Sequence, residues 1–176
     1  LRKFLKLLVG GNPNITEYLF SNNVISSSWE GDLILRNRDK LISSATMLAF
    51  HGYATSSMKQ AKLKTQSASA RVKKICTVLR LAVEAEELAK DGVISYPLSP
   101  ELLANMDYIS DCIINSNILD KAIDMGETYL QRLIDINAFE KYFSTYAMEC
   151  ANTIYRLCIK HKITQERWAE KFDEQI

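Results

Sequence analysis

Lys73, Thr77, Arg80 and Glu84 fall at i, i+4, i+7 and i+11 within an otherwise apolar run. On a helix this spacing aligns them along one face. Such a line looks out on solvent or on a polar pocket. Lys73 and Arg80 are the pair best suited to chemistry, because two cations on one face reach a triphosphate or an RNA backbone together. A solvated charge stripe would use the same residues. Arg38 has no apolar role, and its fork fits a phosphate or a carboxylate of the same chain. Asn12 and Asn14 flank Pro13. They read either as helix caps or as the opening of a helix whose free backbone N–H groups meet phosphate or nucleotide edges. Tyr53 offers a ring on which a base can stack, and beside Gly52 it serves packing equally well. His51 by itself reads as a hydrogen-bonded helix residue rather than a general base.

Metal chemistry finds little support. Cys76, Cys112, Cys150 and Cys158 contain no Cys-x-x-Cys pair, and only His51 and His161 could join them as ligands. Zinc is therefore not expected. Cys150 and Cys158 stand about two helical turns apart, too far for a mutual disulfide. Reduced thiols in a cytoplasmic protein are the expectation. Glu17, one carboxylate without nearby partners, makes a poor magnesium ligand.

Net charge is +1 and hides an asymmetry. Residues 1–80 hold 13 Lys+Arg against 4 Asp+Glu, a balance of +9; residues 81–176 hold 9 against 17, a balance of −8. No acid occurs from Lys40 to Val83, where Lys40, Lys59, Lys62, Lys64, Arg71, Lys73, Lys74 and Arg80 lie. This block either attracts phosphate or pairs with the acidic half. The acidic half could itself meet a protein partner or imitate nucleic acid.

The elements that must position these groups are helical. An apolar content of 47% with three prolines suits a folded, helix-rich chain. No apolar run approaches the ~20 residues that span a bilayer, and Leu1–Val9 has no small-residue cleavage site after it. Leu1–Val9 reads as a helix ended by Gly10 and Gly11. A second helix starts with Asn12 as cap and Pro13 in its first turn, or with Asn14 as cap and Glu17 completing a capping box. Ser21–Ser28 is a polar turn. Trp29–Leu41 reads as one helix with Leu33, Ile34 and Leu41 inward. Ser43 or Ser44 caps the next, about 45–64, with Met47, Leu48, Ala54, Met58 and Ala61 at helical spacing. Gly52 inside it suggests close approach of a neighbour. Residues 64–70 form a mobile linker. Arg71–Lys90 is an enclosed helix ended by Gly92.

Val93–Tyr96 reads as a short extended piece, and Ser99-Pro100-Glu101 as a helix start. Asn115–Asn117 breaks the chain. Ile118–Ile136 and Ala138–Lys160 read as a helical hairpin, the second carrying Phe139, Phe143, Tyr146, Cys150, Ile154, Leu157 and Cys158. Thr164 caps a last helix with Trp168 and Phe172 paired. The fold expected is all-α, a bundle of about seven or eight helices in one domain over 1–176. Within it, 1–106 is basic and 107–176 is the acidic hairpin plus the last helix.

Several segments carry a resemblance. Lys3-Phe4-Leu5-Lys6-Leu7-Leu8, then Gly10-Gly11-Asn12-Pro13-Asn14, Glu17 and Leu19-Phe20, resembles a segment of nucleotidyltransferases of the DNA polymerase beta superfamily. The branch is the one associated with RNA repair in bacteria and large phages. Arg38-(x)-(x)-Leu41-Ile42-Ser43 is similar to that family's Arg-x-x-Phe-Leu-Ser, and Phe50-His51-Gly52-Tyr53-Ala54 to its Phe-x-Gly-Tyr-Ala, with Ser57 in place of a usual glutamine. The helix with Lys73 and Arg80 resembles its Lys-His-x-x-His-x-x-Arg-Leu, but Lys74 and Thr77 stand where the histidines would be. The resemblance runs to about Met106.

The resemblance implies a mixed α/β catalytic domain upstream of Leu1, with this chain as the C-terminal part of an α+β protein. The Gly-Ser and Asp-x-Asp signature of that domain is absent here, so no catalytic residue is assigned in this chain. For the parent it implies Mg²⁺ and a nucleoside triphosphate, whose α-phosphate an acceptor hydroxyl attacks with release of pyrophosphate. The helical part would shape the cleft for the triphosphate and for an RNA, tRNA or protein acceptor. Asn12, Asn14, Arg38, Tyr53, Lys73 and Arg80 would be its nucleotide- or phosphate-binding residues. The alternative is a non-catalytic helical module that binds nucleic acid or a protein partner.

Overall fold

The computed structural model describes the backbone of residues 1–21, 28–111, 116–136 and 147–173. Among the described residues there are nine helices and no strand, so the all-α expectation holds. They are α1 (Arg2–Val9), α2 (Pro13–Phe20), α3 (Trp29–Arg36), α4 (Arg38–Leu41), α5 (Ser44–Ala61), α6 (Ala68–Asp91), α7 (Pro100–Asp111), α8 (Ser116–Ile134) and α9 (Ala147–Asp173). Most of the Ser21–Ser28 turn, residue 115 of the chain break, Cys112, Phe139, Phe143, Tyr146 and the Trp168–Phe172 pairing lie outside what is described.

α6 is the central element. Val72, Ile75, Val78, Leu79, Leu81, Ala82, Ala85, Leu88 and Ala89 are all buried, so the helix is apolar on most of its circumference. It packs against α5, α7 and α8. The Ser67 hydroxyl accepts from the Ala70 N–H at 3.3 Å, so the helix starts within the expected linker. Gly92 closes it in the left-handed conformation, φ 72°, its N–H on the Leu88 carbonyl at 3.1 Å. α5 brings Met47, Phe50, Ala54, Met58 and Ala61 to the same core. α8 crosses where Gly126 lets Met58 and Ile75 approach. It is tied down by Arg132, which donates to both Glu86 oxygens at 2.8 and 2.7 Å, and by the Lys62–Glu127 ion pair. α9 covers the other side, against α1, α3 and α4.

Several expectations are corrected. Trp29–Leu41 is two helices: at Asn37 (φ −115°) the side-chain amide donates to the Leu33 carbonyl at 2.8 Å and the helix stops. Val93–Tyr96, the short extended piece, lies between α6 and α7 and joins no strand among the described residues. Its Ser95 N–H finds the Glu87 carboxylate at 2.7 Å instead of a neighbouring strand. Thr164 does not cap a new helix: its hydroxyl donates back to the Lys160 carbonyl at 2.8 Å and α9 runs on. Among the described residues α8 packs chiefly on α5 and α6, and α9 on α1, α3 and α4.

Leu48 is 71% exposed, because it sits about a third of a turn off the stripe that Met47, Phe50, Ala54 and Met58 define. Gly52 has nothing within 4 Å of where a Cβ would lie. It is an exposed glycine inside a long helix. Gly52→Ala is therefore expected to stabilise the protein by up to about 1 kcal/mol in denaturant titration. A loss of stability would mean that the helix needs the missing side chain.

Candidate functional site

The corner between α1 and α2 is set by local chemistry. The Asn12 side chain accepts from the Ile15 N–H at 3.3 Å, and Pro13 occupies the first turn. Of the two caps the sequence allows, Asn12 is the one used. Gly11 turns the chain at φ 73° directly over the first turn of α5. α2 is buried on Thr16, Leu19 and Phe20. Its remaining groups meet side chains from three other helices.

Asn12 Nδ2 donates to the Tyr53 hydroxyl of α5 at 3.2 Å. Glu17 Oε1 lies 2.5 Å from Arg80 Nη1 of α6. The Leu19 carbonyl accepts from Arg38 Nη1 of α4 at 3.3 Å, and that guanidinium lies 5.1 Å over the Phe20 ring. α2 thus gathers Asn12, Asn14, Arg38, Tyr53 and Arg80 around one short helix. Lys73 is not drawn in. It sits exposed two turns along α6 from Arg80, about 10 Å by helical rise.

Asn14, Glu17, Tyr18, Ser21 and Tyr96 line a hollow of about 360 Å³. Next to it lies a buried charge cluster. Glu84, with no exposed surface, accepts from the Tyr96 hydroxyl at 3.3 Å through Oε1, which is 4.0 Å from Arg80 Nε. Its other oxygen is sealed from solvent and meets no fixed donor among the described groups. Burial pushes the Glu84 carboxyl up to about 8, and the Glu17 charge adds to this against Arg80 and the Tyr96 hydroxyl. Glu84 therefore holds a proton at neutral pH. Burial also raises Glu17, opposed chiefly by Arg80 and then by a hydrogen bond with Glu84. The Tyr96 phenol is pushed up by burial first and by Glu84 second. With Glu84 protonated, the charges of Glu17 and Arg80 balance each other.

The polar line seen in the sequence therefore runs from solvent at Lys73 to full burial at Glu84. Glu84 was legible as a carboxylate flanked by the inward Leu81, Ala85 and Leu88. Tyr18, Ser21 and Tyr96 carried no signal, because only the folded chain brings them to one place.

The carboxyls present do not suit Mg²⁺. Among the described residues no three His, Cys, Asp or Glu side chains gather as a metal site. The Glu17–Glu84 pair is already occupied by Arg80 and a proton. Cys76, Cys150 and Cys158 form no disulfide among the described residues, and the Cys76 thiol points at the Met106 carbonyl at 4.0 Å. The basic block divides. Arg80 and Lys62 have acid partners, and Arg71 donates to the Ala61 carbonyl at 2.6 Å. Lys59, Lys64, Lys73 and Lys74, around the α5–α6 turn, have no acid partner among the described residues. A second, apolar groove of about 560 Å³ lies between α1, α3 and α9, lined in part by Phe4, Ile34, Tyr155, Cys158 and Ile159.

No described helix is long and apolar enough to cross a membrane. Comparison with curated proteins and with solved structures returns no match. A family model does match: RlaP, the RNA repair pathway DNA polymerase beta family, over residues 1–139. The likeness thus extends beyond Met106, where the motifs stop, and takes in α7 and α8. The matched span includes every residue of the α2 corner and of the buried cluster beneath it. With that span matched, this is a polymerase-beta-type, nucleotidyltransferase-related chain, and it belongs to the RNA repair pathway DNA polymerase beta family.

Proposed function

We propose that this helical region forms one wall of a nucleotide cleft in a nucleotidyltransferase-like protein and offers the acceptor a basic face. The observation that supports this best is the hollow on α2, walled by Asn14, Glu17, Tyr18, Ser21 and Tyr96 within the family-matched span. α2 is tied to its neighbours, since Asn12, Glu17 and the Leu19 carbonyl are each bonded to a different helix. A preorganised wall of this kind orients a bound nucleotide without a loop having to order first.

In this reading Arg80 and Tyr53 act on α2, fixing Glu17 and Asn12. Phosphate contacts fall to the exposed Lys73 on α6 and Arg38 on α4, with the half-buried Lys74 beside Lys73. In this reading the chain binds and orients; among its described residues no three His, Cys, Asp or Glu side chains gather as a metal site. The acceptor in this reading is RNA, which the unpaired lysines at the α5–α6 turn would meet through its backbone.

Titration of the chain with a labelled nucleoside triphosphate and with labelled RNA, at about 50 and 200 mM salt, tests this. Both ligands should bind. The double change Lys73→Ala, Lys74→Ala should weaken RNA binding at low salt and make its salt dependence shallower. RNA binding that is steep in salt but indifferent to nucleotide would favour the non-catalytic nucleic-acid module instead, a reading the four unpaired lysines also support. If neither ligand binds, both readings fail.

A further inference from the structure

We infer that the α2 hollow is a nucleobase site: it takes a neutral, flat ring bearing an exocyclic amine, and it favours adenine, guanine and cytosine over uracil. The inference deepens the reading above. It rests on that reading only for the expectation that nucleotides reach this corner.

The wall chemistry carries it. Among the described residues no cation lines the hollow; its acid is Glu17, and the remaining walls are Asn14, Ser21 and two tyrosines. Phosphate placed there would face a carboxylate while the nearest guanidinium, Arg80, is already engaged by that same carboxylate. Phosphate is therefore the part of a nucleotide that fits this hollow least. A base fits it better on three counts. Tyr18 is 67% exposed, which leaves its ring available for stacking. Asn14, exposed at the start of α2, can both donate and accept at a base edge. Glu17 can only accept while ionised; burial raises its carboxyl, and the Arg80 guanidinium at its Oε1 opposes that shift.

The volume, about 360 Å³, falls within the ~300–1,000 Å³ range of small-molecule pockets. The preference follows from the base edges. Adenine, guanine and cytosine each present an amine to an acceptor. The single ring N–H of uracil lies between two carbonyl oxygens, which a carboxylate repels. The buried cluster explains why the acceptor stays in place. Glu17 is clamped by Arg80, Arg80 is backed by Glu84, and Glu84 holds Tyr96, which forms part of the hollow.

The test uses nucleosides, which carry no phosphate. Adenosine, guanosine, cytidine and uridine are titrated into the whole chain, with binding read from NMR shifts at about 50 and 500 mM salt. Saturable binding of the three amino-bearing nucleosides is expected, unchanged by salt and at least several-fold tighter than that of uridine. Tyr18→Ala should weaken all of them about tenfold. Asn14→Ala, at an exposed position, should weaken binding without changing the melting temperature. Glu17→Gln should erase the discrimination against uridine.

Absence of saturable nucleoside binding overturns the inference, as does equal binding of uridine. Binding that appears only with a phosphate attached and fades with salt also overturns it, since the site would then be electrostatic. Triphosphate and RNA binding through the lysines with no nucleoside binding would sink this inference alone. Nucleoside binding without RNA binding would sink only the acceptor-face reading.

Discussion

Glu84→Gln is expected to flatten the dependence of stability on pH between about 4.5 and about 8. The folded carboxyl is raised from 4.5 to about 8, mainly by burial. Below about 4.5 the group is protonated in both states, and its contribution is fully present. As pH rises, the unfolded chain gives up this proton while the folded chain keeps it. Stability then falls by up to about 1.4 kcal/mol per pH unit. The loss is complete once pH passes the folded value, near 8. Glu17, raised in the same direction, adds to the fall.

Glutamine matches the protonated acid in shape. It can accept from the Tyr96 hydroxyl and donate towards Glu17. The variant should therefore match the wild type near pH 5 and exceed it at pH 8. Urea titrations of both proteins at pH 5, 6.5 and 8 read the difference directly. A wild type whose margin over the variant stays constant across that range would show that Glu84 is ionised in the folded chain.

Gly11→Ala should be the most damaging small change in the α2 corner. Gly11 has φ 73°, and an added Cβ would lie 2.4 Å from the Thr46 Cα and 2.8 Å from both the Ala45 carbonyl oxygen and the Thr46 nitrogen. These are backbone atoms of the first turn of α5. That turn is fixed by a capping box between Ser43 and Thr46 and has no rotamer through which to yield. The left-handed conformation alone costs a residue with a Cβ about 1–3 kcal/mol, and overlap in a packed region about as much again. Against a typical total of ~5–15 kcal/mol this is a large share.

The chain can relieve the overlap only by lifting the corner from α5, which moves Asn12 away from Tyr53 and tilts α2. The expected result is a marked drop in the midpoint of chemical unfolding, with loss of nucleoside binding in whatever fraction stays folded. Gly52→Ala is the contrasting control, since that glycine has open space where Gly11 has backbone. If the two substitutions prove equally mild, the close approach of the corner to α5 is not a feature of the folded protein.

Much of the fold was written locally. The Gly92 stop of α6 and the narrowing of the α2 cap to Asn12 or Asn14 rest on groups within one helical turn, so residue type and spacing found them, while the Ser67 start of α6 fell inside what read as a linker. The apolar period of α6 likewise announced a helix enclosed on most sides. Where those rules met a competing bond, they failed. Asn37 took the Leu33 carbonyl and split one expected helix, and Thr164 took the Lys160 carbonyl without ending another. Leu48 and Gly52 were misjudged for a related reason, since a period gives a stripe but not which neighbour covers it.

What the sequence determined by itself is therefore the all-α class, the Gly92 stop of α6, the family motifs and the line of polar residues on α6. What only the tertiary structure decided is which member of that line is buried and what it meets. Glu17 and Arg80 are sixty-three residues apart, and Tyr96 reaches Glu84 from a loop with no helical period of its own. Capping and periodicity act through bonds within a turn. The pairing of a carboxylate with a distant guanidinium, and the state of the proton beside them, depend on how much water the packing of α2 and the 92–99 loop on α6 leaves behind.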